Sequence, residues 1–423
     1  MRFTRLIPLT VLTVVLVALA SAAANARSGA TSGKVTTITF WHAYATNASS
    51  PELQRLTKIV IPRFEKLHRD IKVSQVPFDY GDLQQKLTTS VAGGTLPDVL
   101  RSDIAWVPQY AKLGVFAPLD TLMPDFKALS KVVYTGSLAT NYYKGHYYGL
   151  PLDTNTRVLM YNKQALASAG ISSPPGTFAE LRDDAVKLKA KGIYLFADGG
   201  TGGWNMLPWI WSGGGSLTNS TFTKSTGFLN SPKSVAAVQL LVDLYKEGAI
   251  PSLITGDQGA LGTSDGLPQG KYATILDGPW MFPIFRKSYP NFDLQTGLVP
   301  AGPGGSISVV GGEDIVVTQS SKHKAAAEEF VRFMLSPYAQ TQMAHAGQMP
   351  VRADVSKQLT KINSYYAIFI KQLKTARPRT PSPNWPKIDT VLGNAIASAL
   401  KGSQTTQQAL DDAAQQIDAL LAS

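Results

Sequence analysis

The chain has 423 residues, 44% hydrophobic and 16% charged, with no cysteine and a formal charge of +11. Disulfides, thiol chemistry and thiolate metal sites are therefore excluded, and the low charged fraction argues against disorder. Lysines and arginines are scattered; Arg377, Arg379 and Lys387 stand in a proline-rich stretch and read as solvated surface, so nucleic acid is not an expected partner.

Residues 1–26 read as an export signal. Arg2 and Arg5 give a basic start, 6–20 are apolar, and Ala24-Asn25-Ala26 has the small-x-small form of a cleavage site. The apolar part is shorter than the roughly 20 residues of a membrane span. Removing 26 residues from 423 leaves 397, enough for two domains.

Residues 35–41 alternate as a strand and deliver Trp41, His42 and Tyr44 to its end. Leu53, Leu56, Val60, Phe64 and Leu67 recur at helical spacing, with a kink expected at Pro62. A strand at 71–78, a helix at 83–91 and a short strand at 98–100 follow. This alternation predicts an α/β fold with a largely parallel sheet. Between 147 and 162 two apolar runs are joined by five polar residues, 153–157, a density of hydrogen-bonding groups that needs partners once buried. Farther on, Thr177 to Glu180 spells a capping box, and Ser231–Pro232 and Ser336–Pro337 read as helix starts. The last helix falls at 410–421, and no internal repeat is present.

Enzyme signatures are weak. Gly262-Thr263-Ser264-Asp265-Gly266 matches a nucleophile elbow in letters only, because its context is a loop. His42, His68, His146, His323 and His345 include no pair spaced for a metal on one helix face, and no cofactor motif is complete. Aromatics beside glycines and polar residues carry more: Trp204, Trp209 and Trp211, Trp280 after Asp277-Gly278-Pro279, and Trp385 between Asn384 and Pro386. Such rings can stack on the C–H faces of a sugar while neighbouring polar groups meet its hydroxyls.

Nearly the whole mature chain resembles the extracellular solute-binding proteins of carbohydrate ABC importers, the maltose-binding-protein-like family. The resemblance rests on Ile38-Thr39-Phe40-Trp41-His42, on Gly94 to Val99 followed by Trp106, Tyr110-Ala111, Gly114 and Pro118-Leu119-Asp120, and on Gly145 to Pro151. It continues through Tyr161-Asn162-Lys163, Gly270-Lys271, Gly278-Pro279-Trp280, Gly311–Gly312, 326–333 and Met349-Pro350-Val351-Arg352. It implies an α/β, two-lobed periplasmic-binding-protein fold (type II), each lobe a mostly parallel sheet flanked by helices, with a three-crossing hinge. The implied lobes are 35–150 with 299–336 and 151–298 with 337–423.

On the same resemblance Asn155 falls where a ligand-binding acid or amide often stands, and Trp204, Trp280 and Trp385 where stacking aromatics do. Asp103, Asp153, Glu313 and Arg352 match positions that hydrogen-bond hydroxyls, and Trp41, His42, Tyr44 and Trp106 are cleft candidates on the first lobe. The implied protein is no enzyme and has no cofactor. It is a periplasmic monomer that passes a mono- or oligosaccharide to an ABC permease with its ATPase, soluble because no cysteine is present to carry a lipid. The alternatives are a receptor for a polyol phosphate such as glycerol 3-phosphate, or a secreted glycosidase.

Overall fold

In the computed structural model, which describes residues 35–44 and 49–423, the first strand divides its side chains between two cores. In β1 (Thr36–His42), Ile38 and Phe40 enter one cluster and Trp41 the other, as a period of two requires. The expected export signal, 1–26, lies outside the described residues.

The remaining strands are β2 (Ile71–Pro77), β3 (Val99–Asp103), the small hairpin β4 (Tyr142–Tyr143) and β5 (His146–Tyr147), β6 (Leu150–Thr156), β7 (Val158–Asn162), β8 (Tyr194–Ala197), β9 (Tyr272–Asp277), β10 (Leu294–Gly297), β11 (Val310–Val317) and β12 (Met349–Pro350). They form a six-stranded sheet, β12-β6-β11-β3-β1-β2, and a four-stranded sheet, β10-β7-β9-β8. The sheets are less parallel than the sequence predicts. Parallel pairing is confined to β2-β1-β3 and β8-β9. The strands that enter or leave a lobe, β6, β7, β10, β11 and β12, pair antiparallel. The α/β, two-lobed class stands; the mixed sheets follow from a chain that returns into each lobe from the other.

The chain passes between the sheets at Arg157, the single residue between β6 and β7. It returns between Val309, packed in the second-lobe core, and Val310, the start of β11. It leaves again after β12: Val351 packs with the first lobe, whereas Leu359 and Tyr366 pack with Val158 and Met160. Each passage thus lies later than the divisions at 150, 298 and 336 drawn on the sequence. The run 153–156, which reads as a connection, is strand.

Helix starts follow the sequence closely. Ser231 and Ser336 accept hydrogen bonds from the amides of Ser234 and Ala339, each with proline next in the chain. Thr177 caps Glu180, whose carboxylate reaches the amide of Gly176 at 2.7 Å instead of closing the box on Thr177. At Pro62 the first helical run changes register rather than simply bending. Pro51–Arg55 passes through a π-helical turn, Leu56–Val60, into Ile61–Leu67. A wider turn just before proline accommodates its missing N–H.

One irregularity positions the cleft. Glu313 pairs with Asp153 but Asp314 pairs with Pro151, so Leu152 is an extra residue on β6. Opposite this bulge Gly312 has φ +132°, and a Cβ there would lie 2.4 Å from the carbonyl oxygen of Asp153. Gly312→Ala should therefore destabilise the protein by about 2–3 kcal/mol, from strain at a glycine-only conformation together with the backbone collision. Urea denaturation monitored by circular dichroism measures it, and an unchanged midpoint would show that the bulge relaxes freely.

Candidate functional site

The cleft is built on a register. Across three neighbouring strands Asp103, Glu313 and Asp153 are directly paired, so their side chains share one face. Arg101 lies two residues before Asp103 and Asn155 two after Asp153, on that same face. Like charges set side by side on a sheet repel. Two arginines counter the repulsion. Arg101 Nη2 lies 2.7 Å from Glu313 Oε2 and 3.2 Å from Asp153 Oδ2, donates to Gln348 Oε1 at 3.2 Å, and sits 4.2 Å from the centre of the Tyr44 ring. Arg379 Nη2 reaches both oxygens of Asp103, at 2.8 and 3.0 Å. Asp103 also accepts from the Tyr80 hydroxyl at 2.6 Å and from the Ala105 amide at 2.7 Å. Burial pushes the Glu313 carboxyl well above its ordinary range, opposed by the charge of Arg101.

Aromatic faces close over this polar floor. Tyr80 and Trp106 pack at 5.1 Å between ring centres on the first lobe; Tyr80 is 46% exposed although its hydroxyl is tied to Asp103. From the second lobe Trp204 and Trp280 stack at 6.3 Å with their planes 30° apart. The Trp280 indole hydrogen-bonds Asp277, whose carboxyl burial raises to about 6. A side chain at 278 would displace the ring, since a Cβ there would come within 2.1 Å of Trp280 as it stands.

Arg157 holds the platform from the hinge. Its guanidinium pairs with Asp198 at 2.9 Å and donates to the carbonyls of Leu276, Trp204 and Asn205, the last two at 3.2 and 3.4 Å. The segments carrying both stacked tryptophans are thereby tied to the residue where the chain changes lobe.

Between the lobes lies a cavity of about 710 Å3. Of the residues named from the sequence, it brings together Tyr44, Asp103, Trp106, Asn155, Trp204, Trp280, Glu313 and Trp385. Asn155 is 6% exposed, and its Oδ1 has no hydrogen-bond partner among the described residues.

Four named residues do not line the cavity. Trp41 packs against Phe78 in the core. His42 is fully buried between Gln75, 2.7 Å from its Nε2, and the Tyr44 amide, and burial lowers its pKa to about 4. Asp153 stands behind the lining, engaged with Arg101. Arg352 turns away to Asp354 at 2.7 Å and the Leu335 carbonyl at 3.3 Å.

Sequence reading missed Arg101, Arg379, Tyr80, Glu52 and Asp389. Arg379 is a correction: it is not solvated surface but a buried partner of a cleft carboxylate. Only Arg101 carried a signal, its alternation with Asp103 along one strand. Ser264 lies in a short helix, Thr263–Gly266, outside this site. No cluster of metal-ligating side chains occurs among the described residues.

Comparison with known proteins agrees with this architecture. The chain is 28% identical over 355 residues to a putative binding protein of Brucella abortus, covering 82% of this chain and 84% of the relative. It is 27% identical over 429 residues to the sn-glycerol-3-phosphate-binding periplasmic protein of Pectobacterium atrosepticum, covering 91% of each. The GacH receptor of Streptomyces glaucescens, solved unliganded and with acarbose, superposes with a TM-score of 0.82 at 25% identity, over 92% of this chain and 99% of that one. Residues 47–341 match the family model of bacterial extracellular solute-binding proteins, whose members are binding proteins and not enzymes, and the chain belongs to that family.

Proposed function

We propose that this protein is the receptor of an ABC importer for a neutral carbohydrate, which it captures between its lobes and delivers to the membrane permease. The observation that carries this reading is the chemistry of the cleft. Aromatic faces from both lobes surround carboxylates and an amide, while both guanidinium groups in it, Arg101 and Arg379, are already paired with acids. Sugar rings stack on such faces and their hydroxyls donate to such acceptors. The resemblance to the GacH receptor, solved with acarbose, supports the carbohydrate class. The expected export signal and the lack of a cysteine to carry a lipid support a soluble periplasmic receptor.

A phosphorylated polyol, suggested by the name of the Pectobacterium relative, fits this cleft less well. Its lining holds the carboxylates Glu52, Asp79, Asp103, Glu313 and Asp389 against those two arginines. An incoming phosphate would have to displace Asp103 from Arg379 or bind beside several carboxylates, at the cost of charge repulsion in a partly desolvated site.

Contacts that exist only when the lobes meet shift the population toward the closed form, which is the form a permease would recognise. Removing a stacking ring should therefore weaken capture. In calorimetry Trp280→Ala should lower sugar affinity at least tenfold, the equivalent of about 1.4 kcal/mol or more; unchanged affinity would remove Trp280 from the site.

A thermal-shift panel of glucose, galactose, mannose, maltose, cellobiose, lactose, trehalose and glycerol 3-phosphate tests the class, because a ligand of the native state raises the midpoint by mass action. One or more neutral sugars should shift it, with affinity insensitive to added salt. A shift with glycerol 3-phosphate alone, weakening as salt rises, would favour the phosphate reading instead.

A further inference from the structure

Glu52 has no role in the scheme above, and its surroundings are unusual. It lies in the first turn of the helix Pro51–Arg55, where an acid ordinarily sits in water and complements the helix N-terminus. Here it is 5% exposed and lines the same cavity as Ser50 and, from the other lobe, Trp280 and Ile284, whose helix Met281–Ser288 reaches the Ser49 carbonyl through Lys287. Among the described residues its carboxylate has no ion-pair or hydrogen-bond partner beyond its own backbone amide. A buried carboxylate without partners is costly, and one opening onto a binding cavity can be completed by what binds there. We propose that Glu52 reads the ligand at the Trp280 end of the cleft, accepting hydrogen bonds from a pair of sugar hydroxyls in its ionised form, so that capture releases a proton. This rests on the carbohydrate reading above.

The charged and titratable groups facing Glu52 are few. Arg101 is the facing cation in the cleft, and it is shared with Asp153 and Glu313. Lys287, across the mouth, donates to the Ser49 carbonyl. Tyr365 and Tyr366 face it from the second lobe, both held neutral by burial, with Arg286 beyond Tyr365. On the neighbouring helix Pro337–Ala344 and its cap, Tyr338 lies against Arg63 and His345 faces Arg55. In the unliganded protein burial raises the Glu52 carboxyl to about 7, so near neutral pH about half the molecules carry it protonated. Hydroxyl donors stabilise the carboxylate and not the acid, which lowers its pKa in the complex. Affinity should then rise with pH through the interval below about 7 and level off above it.

The test is calorimetry at pH 7 in two buffers of different ionisation enthalpy, using the neutral sugar from the panel above that gives the largest midpoint shift. About half a proton should be released per sugar bound, and affinity should rise several-fold from pH 5.5 to 8.5. In Glu52→Gln the release should vanish, the pH profile should flatten and affinity at pH 8 should fall about tenfold. Glu52→Asp, which keeps the charge on a shorter arm, should restore part of the release. Thermal melts of each variant separate these effects from loss of fold, and proton release is a readout that a purely structural acid would not move. Equal release in Glu52→Gln would assign the proton to another group, such as Glu313, and overturn the inference. So would absence of release, or proton uptake, in the wild type; in each case a sugar-induced midpoint shift leaves the carbohydrate reading standing. A panel in which no neutral sugar shifts the midpoint overturns the carbohydrate reading and the inference together.

Discussion

Three carboxylates paired across adjacent strands are the constraint around which this cleft is organised. Asp103, Glu313 and Asp153 stand in one row because the register of β3, β11 and β6 puts them there, and no sheet tolerates that row uncompensated. Arg101 bridges two of the three from within β3, and Arg379 reaches the third from a distant, proline-rich stretch. Breaking either pair would leave a desolvated charge behind, which is costly in a way that removing both partners is not. Acids and arginines therefore form one unit. The cleft is polar and charged, yet among the described residues that line it no cation stands apart from that unit.

A second unit, centred on Arg157, carries the apolar half of the site. The residue occupies the single position between β6 and β7, so its backbone is hinge while its side chain holds the second-lobe platform. Its own carbonyl accepts from Ser308 Oγ at 2.8 Å, beside the second passage between lobes. Two of the three passages thus meet at one residue, and the tryptophan stack is fixed relative to the axis about which the lobes would turn. An aromatic platform held this way presents its face in one orientation as the cleft closes, which limits the entropy lost on capture.

How much of this could be read in advance follows from the range of each interaction. Helix starts at Ser231 and Ser336 were legible because caps act over three residues. Gly278, Trp280, Gly311 and Gly312 were legible as parts of motifs. The polar run 153–156 was legible as something needing partners, but its conformation was not. Strands read as apolar alternation, whereas here Asp153 and Asn155 are the alternating set because a cleft lies on that side. Arg379 and Asp103 are 276 residues apart, and nothing local to either announces the other. Nothing local to Tyr80 or Glu52 marks either for the cleft, because the residues they line it with come from distant parts of the chain.

The same distinction governs what the net charge means. A chain of +11 suggests an affinity for anions, and the cleft argues against it, because among its lining residues acids outnumber arginines and the arginines are engaged. The net charge of the whole chain therefore says little about the ligand. Inside, positive charge has been used to assemble carboxylates, and assembled carboxylates are acceptors. Acceptors beside aromatic faces suit a ligand that brings many donors and no charge of its own. Because each lobe supplies only part of that set, the proposed receptor would complete its site only as the lobes meet, so that affinity and closure would arise from the same contacts.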